Sequence, residues 1–75
     1  MAVTLEDIEE LVKLQLGLRQ VSPGDRFMED LGAESADLMN IVATAEDRFK
    51  IVFDDAQIAG VRTVEELFNL IIKII

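Results

Sequence analysis

Cysteine is missing from this 75-residue chain, and so is histidine. Without cysteine there is no disulfide, no thiolate nucleophile and no thiolate metal site; without histidine the commonest general base and metal ligand is gone as well. Most catalytic templates, and any metal centre of those types, fall at that step. Basic residues are scarce: seven Lys and Arg stand against fifteen Asp and Glu, for a formal charge of -8. That imbalance disfavours nucleic acid and anionic membrane surfaces and favours partners that present basic patches. The apolar tail Leu70-Ile71-Ile72-Lys73-Ile74-Ile75 is far too short to span a bilayer. Glu6 and Asp7 follow soon after Met1, and no basic region with an apolar run behind it precedes them. No secretory signal is read there, and a cytoplasmic monomer is expected.

A chain of this length makes one small domain, residues 1–75, in which a single core is only marginally sufficient. It has no room for a deep active site together with its supporting shell, which argues against an enzyme. Helical punctuation is plain. Thr4 with Asp7 three residues later starts a helix, Leu5, Ile8, Leu11 and Val12 follow its spacing, and Gly17 supplies a left-handed stop after Leu16. The next seventeen residues, 18–34, form a long connection with turn chemistry at Ser22-Pro23-Gly24-Asp25; Phe27, Met28 and Leu31 are expected to pin it to the bundle. A second helix is expected from about Ser35 to Lys50, with Leu38, Ile41, Val42, Ala45 and Phe49 on its core face.

Asp54 with Gln57 marks a short helix ending at Gly60, and Phe53 and Ile58 are placed as its hydrophobic staple. Thr63 with Glu66 repeats the capping arrangement before a last helix, whose stripe is Val64, Leu67, Phe68, Ile71 and Ile75. The fold class is all-α: a four-helix bundle of three longer helices and one short helix before the last, with a long loop between helices one and two.

The stretch that carries chemistry is Glu34-Ser35-Ala36-Asp37, set between Gly32 and an apolar-striped helix that closes with Glu46-Asp47-Arg48-Phe49. A hydroxyl at a loop-to-helix junction is held firmly and presented outward. An ordinary helix cap would also account for a serine there. The stretch resembles the acyl carrier protein family, whose motif is Asp-Ser-Leu followed by an acidic helix ending Glu-Glu-x-Phe. The resemblance runs through the order of all four helices. It implies that Ser35 bears 4'-phosphopantetheine, delivered from coenzyme A by a phosphopantetheinyl transferase. It implies further that acyl intermediates ride as thioesters on the arm between enzymes of fatty acid or related biosynthesis. The missing cysteine fits, because the reactive sulfur belongs to the cofactor and the protein supplies position and recognition.

On the helix face opposite the core stripe the resemblance places the partner-binding surface: Glu34, Ala36, Asp37, Met39, Asn40, Ala43, Glu46 and Asp47. Synthetases, ketosynthases and acyltransferases with basic docking surfaces are the implied partners. Glu34 stands for the family's usual Asp, Ala36 for Leu, Asn40 for a commonly acidic residue, and Arg48 where acids often continue. A thinner contact surface points to a specialised carrier from a dissociated, bacterial-type system. Two alternatives stay open: a carrier of amino acid or polyketide intermediates, and a cofactor-free acidic adaptor. A calcium sensor is poorly matched, since Asp54-Asp55 is followed by Ala56-Gln57-Ile58 without the regular oxygen ligands of such a loop.

Overall fold

A computed structural model describes residues 2–75, and four helices account for most of them. Helix α1 spans Leu5–Leu16, α2 Ser35–Phe49, α3 Asp55–Ala59 and α4 Val64–Ile74. Each starts where a short side chain or its partner three residues on satisfies free backbone amides. At α1 the Asp7 amide donates to Thr4 Oγ1 at 3.2 Å and the Thr4 amide to Asp7 Oδ2 at 2.9 Å. At α4 the same exchange joins Thr63 and Glu66, at 3.1 and 2.9 Å. At α3 the Asp54 amide donates to Gln57 Oε1 at 3.0 Å. Helix α1 stops at Gly17, whose φ of 67° is the left-handed conformation that glycine adopts without steric cost. Helix α2 ends in the same conformation at Lys50, with φ 58°.

Helix α1 packs against both α2 and α4. The buried residues Ile8, Leu11 and Val12 of α1 meet Ile41, Val42 and Ala45 of α2 and Val64, Leu67 and Ile71 of α4 in one core. The core faces expected from helical spacing are thus largely those observed. Leu38, Phe49 and Phe68 are half-buried at its margin, whereas Ile75, expected on the α4 stripe, is 60% exposed past the end of the helix. No helix among the described residues is long and apolar enough to cross a membrane.

The long connection is folded against the bundle. The Asp25 amide donates to the Ser22 carbonyl at 3.1 Å, closing the turn at Pro23-Gly24. The Asp30 and Leu31 amides then both donate to the Arg26 carbonyl, making a single helical turn. The Arg26 side chain closes that turn on Asp30 at 3.1 Å and reaches Glu29 at 2.9 Å. Phe27 is 1% exposed, and burying a phenylalanine so completely contributes about 1.5–3 kcal/mol, more than any one hydrogen bond of the loop. Val21 and Ala33 are buried beside it, while Leu31 is only half-buried. Met28 does not pin the loop as expected: Phe27 takes the buried place, and Met28 remains 48% exposed.

The loop also completes α4. The Glu65 amide donates to the Pro23 carbonyl at 2.8 Å and the Val64 amide to the Asp25 carbonyl at 3.2 Å. The Phe27 amide donates back to the Arg62 carbonyl at 2.9 Å, and an isolated antiparallel bridge pairs Arg26 with Thr63. Amides at a helix start have no partner inside the helix, so these loop carbonyls supply what the helix lacks.

Candidate functional site

Three residues bring the chain from the pinned loop to Ser35. Gly32 turns it with φ 70°, a left-handed conformation, and no atom crowds the position where a Cβ would stand, so the constraint is the backbone alone. Ala33 is buried and its amide donates to the Phe27 carbonyl at 2.8 Å. Glu34, extended at φ -97° and ψ 172°, is the residue before the first helical turn. Its amide donates to Asp37 Oδ2 at 3.0 Å, three residues on.

Ser35 is therefore the first helical residue of α2, not its cap. Its side chain is exposed, and its hydroxyl makes no hydrogen bond among the described residues. The backbone amides of the first turn lie beside it, where the helix dipole favours an anion by about 0.3–1 kcal/mol. A capping serine would have its oxygen engaged; this oxygen is free to react.

Ser35 lies on the rim of a groove of about 360 Å³ between the loop, α2 and α3. Its walls are mainly apolar, from Phe27, Met28, Leu38, Met39, Ile58 and Val61, with Glu29 and Arg62 as the charged members. A second hollow, about 440 Å³, continues along α2 towards Val42 and Phe53, and the two share Met39, Ile58 and Ala59. Met28 and Met39 stand 48% and 61% exposed at this groove, which presents apolar surface directly beside the serine. An exposed hydroxyl next to an elongated apolar trough fits a flexible substituent on Ser35 that can lie down along the protein.

The other residues expected at the partner surface fall into two sets. Ala36, Asn40, Ala43 and Asp47 are all exposed on α2, and Met39 beside them is exposed as well. Asp37 and Glu46 are half-buried and engaged. Asp37 holds the Glu34 amide, and Glu46 Oε2 accepts the Phe53 amide at 2.9 Å, fixing the segment that leads into α3. Glu34 itself is exposed.

Two features lie outside what the spacing of residues conveyed. Arg62 reaches the groove from the far side of the chain, distant in sequence from Ser35. Glu66 Oε1 gathers the amides of Arg62 and Thr63 at 2.9 Å each, and those donors, Arg62's first, hold its carboxyl below the usual glutamate range. Asp30 is held low likewise, first by the Arg26 side chain and then by the Arg26 amide, and Arg26 is correspondingly raised. No group of three or more metal-ligating side chains occurs among the described residues.

The chain is similar to known proteins along most of its length. The family described as "Phosphopantetheine attachment site" matches residues 6–71. An acyl carrier protein of Exiguobacterium sibiricum is 33% identical over 69 residues, covering 89% of this chain and 87% of the relative. One from Helicobacter hepaticus is 33% identical over 66 residues, covering 85% and 87%. The crystal structure of an acyl carrier protein from Thermotoga maritima superposes with a TM-score of 0.79 at 29% identity, covering 93% of this chain and 84% of that one.

Proposed function

The chain belongs to the phosphopantetheine-attachment family of acyl carrier proteins, and on that premise we propose that Ser35 is the residue that bears the arm. The observation that carries this reading is the free, exposed hydroxyl at the first position of α2 on the rim of an apolar groove. In the loading reaction the Ser35 oxygen attacks the phosphorus of coenzyme A that bears the pantetheine. An oxygen–phosphorus bond forms, the nucleotide half leaves on its own phosphate, and the serine proton passes to the transferase. Once bound, the group supplies a terminal thiol on which an acyl chain is held as a thioester.

The protein's own work is positional. Gly32, Ala33 and the Glu34–Asp37 hydrogen bond fix where Ser35 points, and the chain itself catalyses nothing. Leu38, Met39, Ile58 and Val61 offer shelter to part of an acyl chain. About six methylenes at about 0.8 kcal/mol each give roughly 5 kcal/mol gross, on the scale of a domain's stability. The exposed face of α2, with the exposed carboxylates of Asp47 and of Glu34 just before the helix, meets basic enzymes by long-range attraction that speeds encounter without tight binding. The cargo is an acyl intermediate of fatty acid or related biosynthesis in a dissociated system. A cofactor-free adaptor would need neither the open hydroxyl nor the groove beside it.

The test is intact mass after incubation with coenzyme A, magnesium and a promiscuous phosphopantetheinyl transferase. Wild type gains one arm and Ser35→Ala gains none. A Ser35→Ala chain that still gained the mass would refute the assignment, as would a wild-type chain that stayed unchanged across several transferases.

A further inference from the structure

The groove beside Ser35 has two charged residues in its walls, Glu29 and Arg62. They are not in equivalent states. Glu29 is paired with Arg26 at 2.9 Å, on the same guanidinium that holds Asp30 at 3.1 Å. Arg62 makes no ion pair among the described residues, although the chain carries fifteen carboxylates from Asp and Glu. It is the one cation on the groove wall among the described residues.

Its backbone, by contrast, is held at both ends. The Arg62 carbonyl accepts from the Phe27 amide at 2.9 Å, and its own amide donates to Glu66 Oε1 at 2.9 Å. The Glu66 carboxylate is the nearby anion that could compete for the guanidinium, and its Oε1 already accepts two amides and the Thr63 hydroxyl. Arg62 is thus a guanidinium without an ion pair among the described residues, close enough to Glu66 for its charge to lower that carboxyl but not in contact with it. It stands on an anchored base, and the same hydrogen bonds that anchor it join α4 to the loop leading to Ser35.

Any phosphodiester on Ser35 keeps a negative charge throughout the working pH range and would stand beside Glu34 and Asp37. The amides of α2 offset part of that repulsion; a fixed cation across the groove offsets more. A guanidinium presents paired donors that match two oxygens of a phosphate. We propose that Arg62 is a positioning residue that holds the phosphodiester of the tether on Ser35, biasing the arm to lie in the groove. This rests on the reading of Ser35 given above.

The experiment uses the full chain, loaded from coenzyme A by a transferase, with attachment to Ser35 established by peptide mass. The phosphorus resonance of the diester and the Nε–Hε resonances of the arginines are followed by NMR. On loading, the Arg62 side-chain resonance shifts while those of Arg19 and Arg48 stay in place. In loaded Arg62→Gln the phosphorus line moves and narrows, Arg62→Lys restores part of the change, and about 1 M salt, where screening acts within about 3 Å, drives wild type towards the Gln variant. Arg62→Gln keeps the backbone bonds, and an unchanged melting temperature of its unloaded form shows the fold intact; if it melts early, Arg62→Lys against wild type decides by the same phosphorus readout. Identical phosphorus position and width in all three loaded proteins overturns the Arg62 contact and leaves Ser35 standing. Failure of wild type to load at Ser35 overturns the Ser35 reading and the contact with it.

Discussion

The carboxylate of Asp37 accepts the backbone amide of Glu34 at 3.0 Å, and Ser35 lies between the two. One acidic residue on the proposed docking helix therefore has a structural duty, and Asp47, exposed nearly three turns further on, has none that the hydrogen bonds reveal. Asp37→Ala should cost about 1 kcal/mol, the scale of a lost helix cap, and Asp47→Ala no more than about 0.5 kcal/mol. Denaturant melts check this. Equal losses would mean that the Glu34 contact does not stabilise the start of α2.

Glu46 should behave as a brace for α3. Phe53 is 7% exposed, and removing the acceptor of its amide leaves a donor with little access to water. Glu46→Ala should cost about 1–3 kcal/mol and speed hydrogen exchange at the Phe53 amide. Glu46→Gln retains an acceptor oxygen and should recover most of the protection. If exchange at Phe53 is the same in all three proteins, the brace is not there.

The two left-handed positions that flank α2 should respond in opposite directions. Gly32→Ala puts a Cβ into a conformation that disfavours it by about 1–2 kcal/mol, so the variant should melt several degrees lower. Lys50→Gly relieves the same strain at the other end, less the favourable effect of a cation near a helix C-terminus, for a net gain of about 0.5 kcal/mol. A Lys50→Gly chain that melts lower than wild type would contradict the strain argument.

Acid should expose the carboxylates that the fold holds low. Glu66 and Asp30 ionise more readily folded than unfolded, because amides and a guanidinium donate to them. Each contributes stability that is fully present above the ordinary carboxylate range, about pH 4, and is lost as the pH falls through its folded value. Lowering the pH also relieves the self-repulsion of a chain at -8, so the difference between proteins is the informative quantity. In urea melts between about pH 6 and pH 3, Glu66→Gln with Asp30→Asn should lose less stability than wild type. Parallel curves would show that these two groups do not carry the effect.

Ala36 is exposed directly after Ser35, on the face shared with Asn40 and Ala43. Ala36→Leu adds apolar contact area at no cost in helix propensity beyond a few tenths of a kcal/mol, so the melting temperature should hold. Modification or acyl transfer by a generic enzyme should then become faster, while a dedicated partner gains nothing. Unchanged rates with generic enzymes would remove Ala36 as a determinant of partner choice.

What the sequence conveyed was what depends on neighbours along the chain. Thr4 with Asp7, Thr63 with Glu66, and the stop at Gly17 are contacts within four residues, and all are present where spacing placed them. The face of α2 was legible for the same reason, because Ile41, Val42 and Ala45 follow one helical period. The contacts that escaped are long-range. Nothing in the local pattern reveals that Glu46 serves Phe53, that Pro23 and Asp25 cap α4, or that Arg62 shares a groove with Ser35. Met28 escaped for a different reason: apolar character alone does not say which of two neighbouring residues is buried, and Phe27 took that place.

The bonds from Pro23 and Asp25 to α4 have a consequence for the order in which the protein is made. Residues 62–65 leave the ribosome well after Ser35, yet they hold the loop that aims it. While the chain is still being synthesised, the serine exists without its mount. A chain ending at Gly60 should accordingly be a poor substrate for a transferase that loads the full chain readily, and equal loading of the two would refute the dependence. The attachment serine precedes residues 62–65 in the chain, but its presentation depends on them, so loading by shape would select against chains that do not yet contain them.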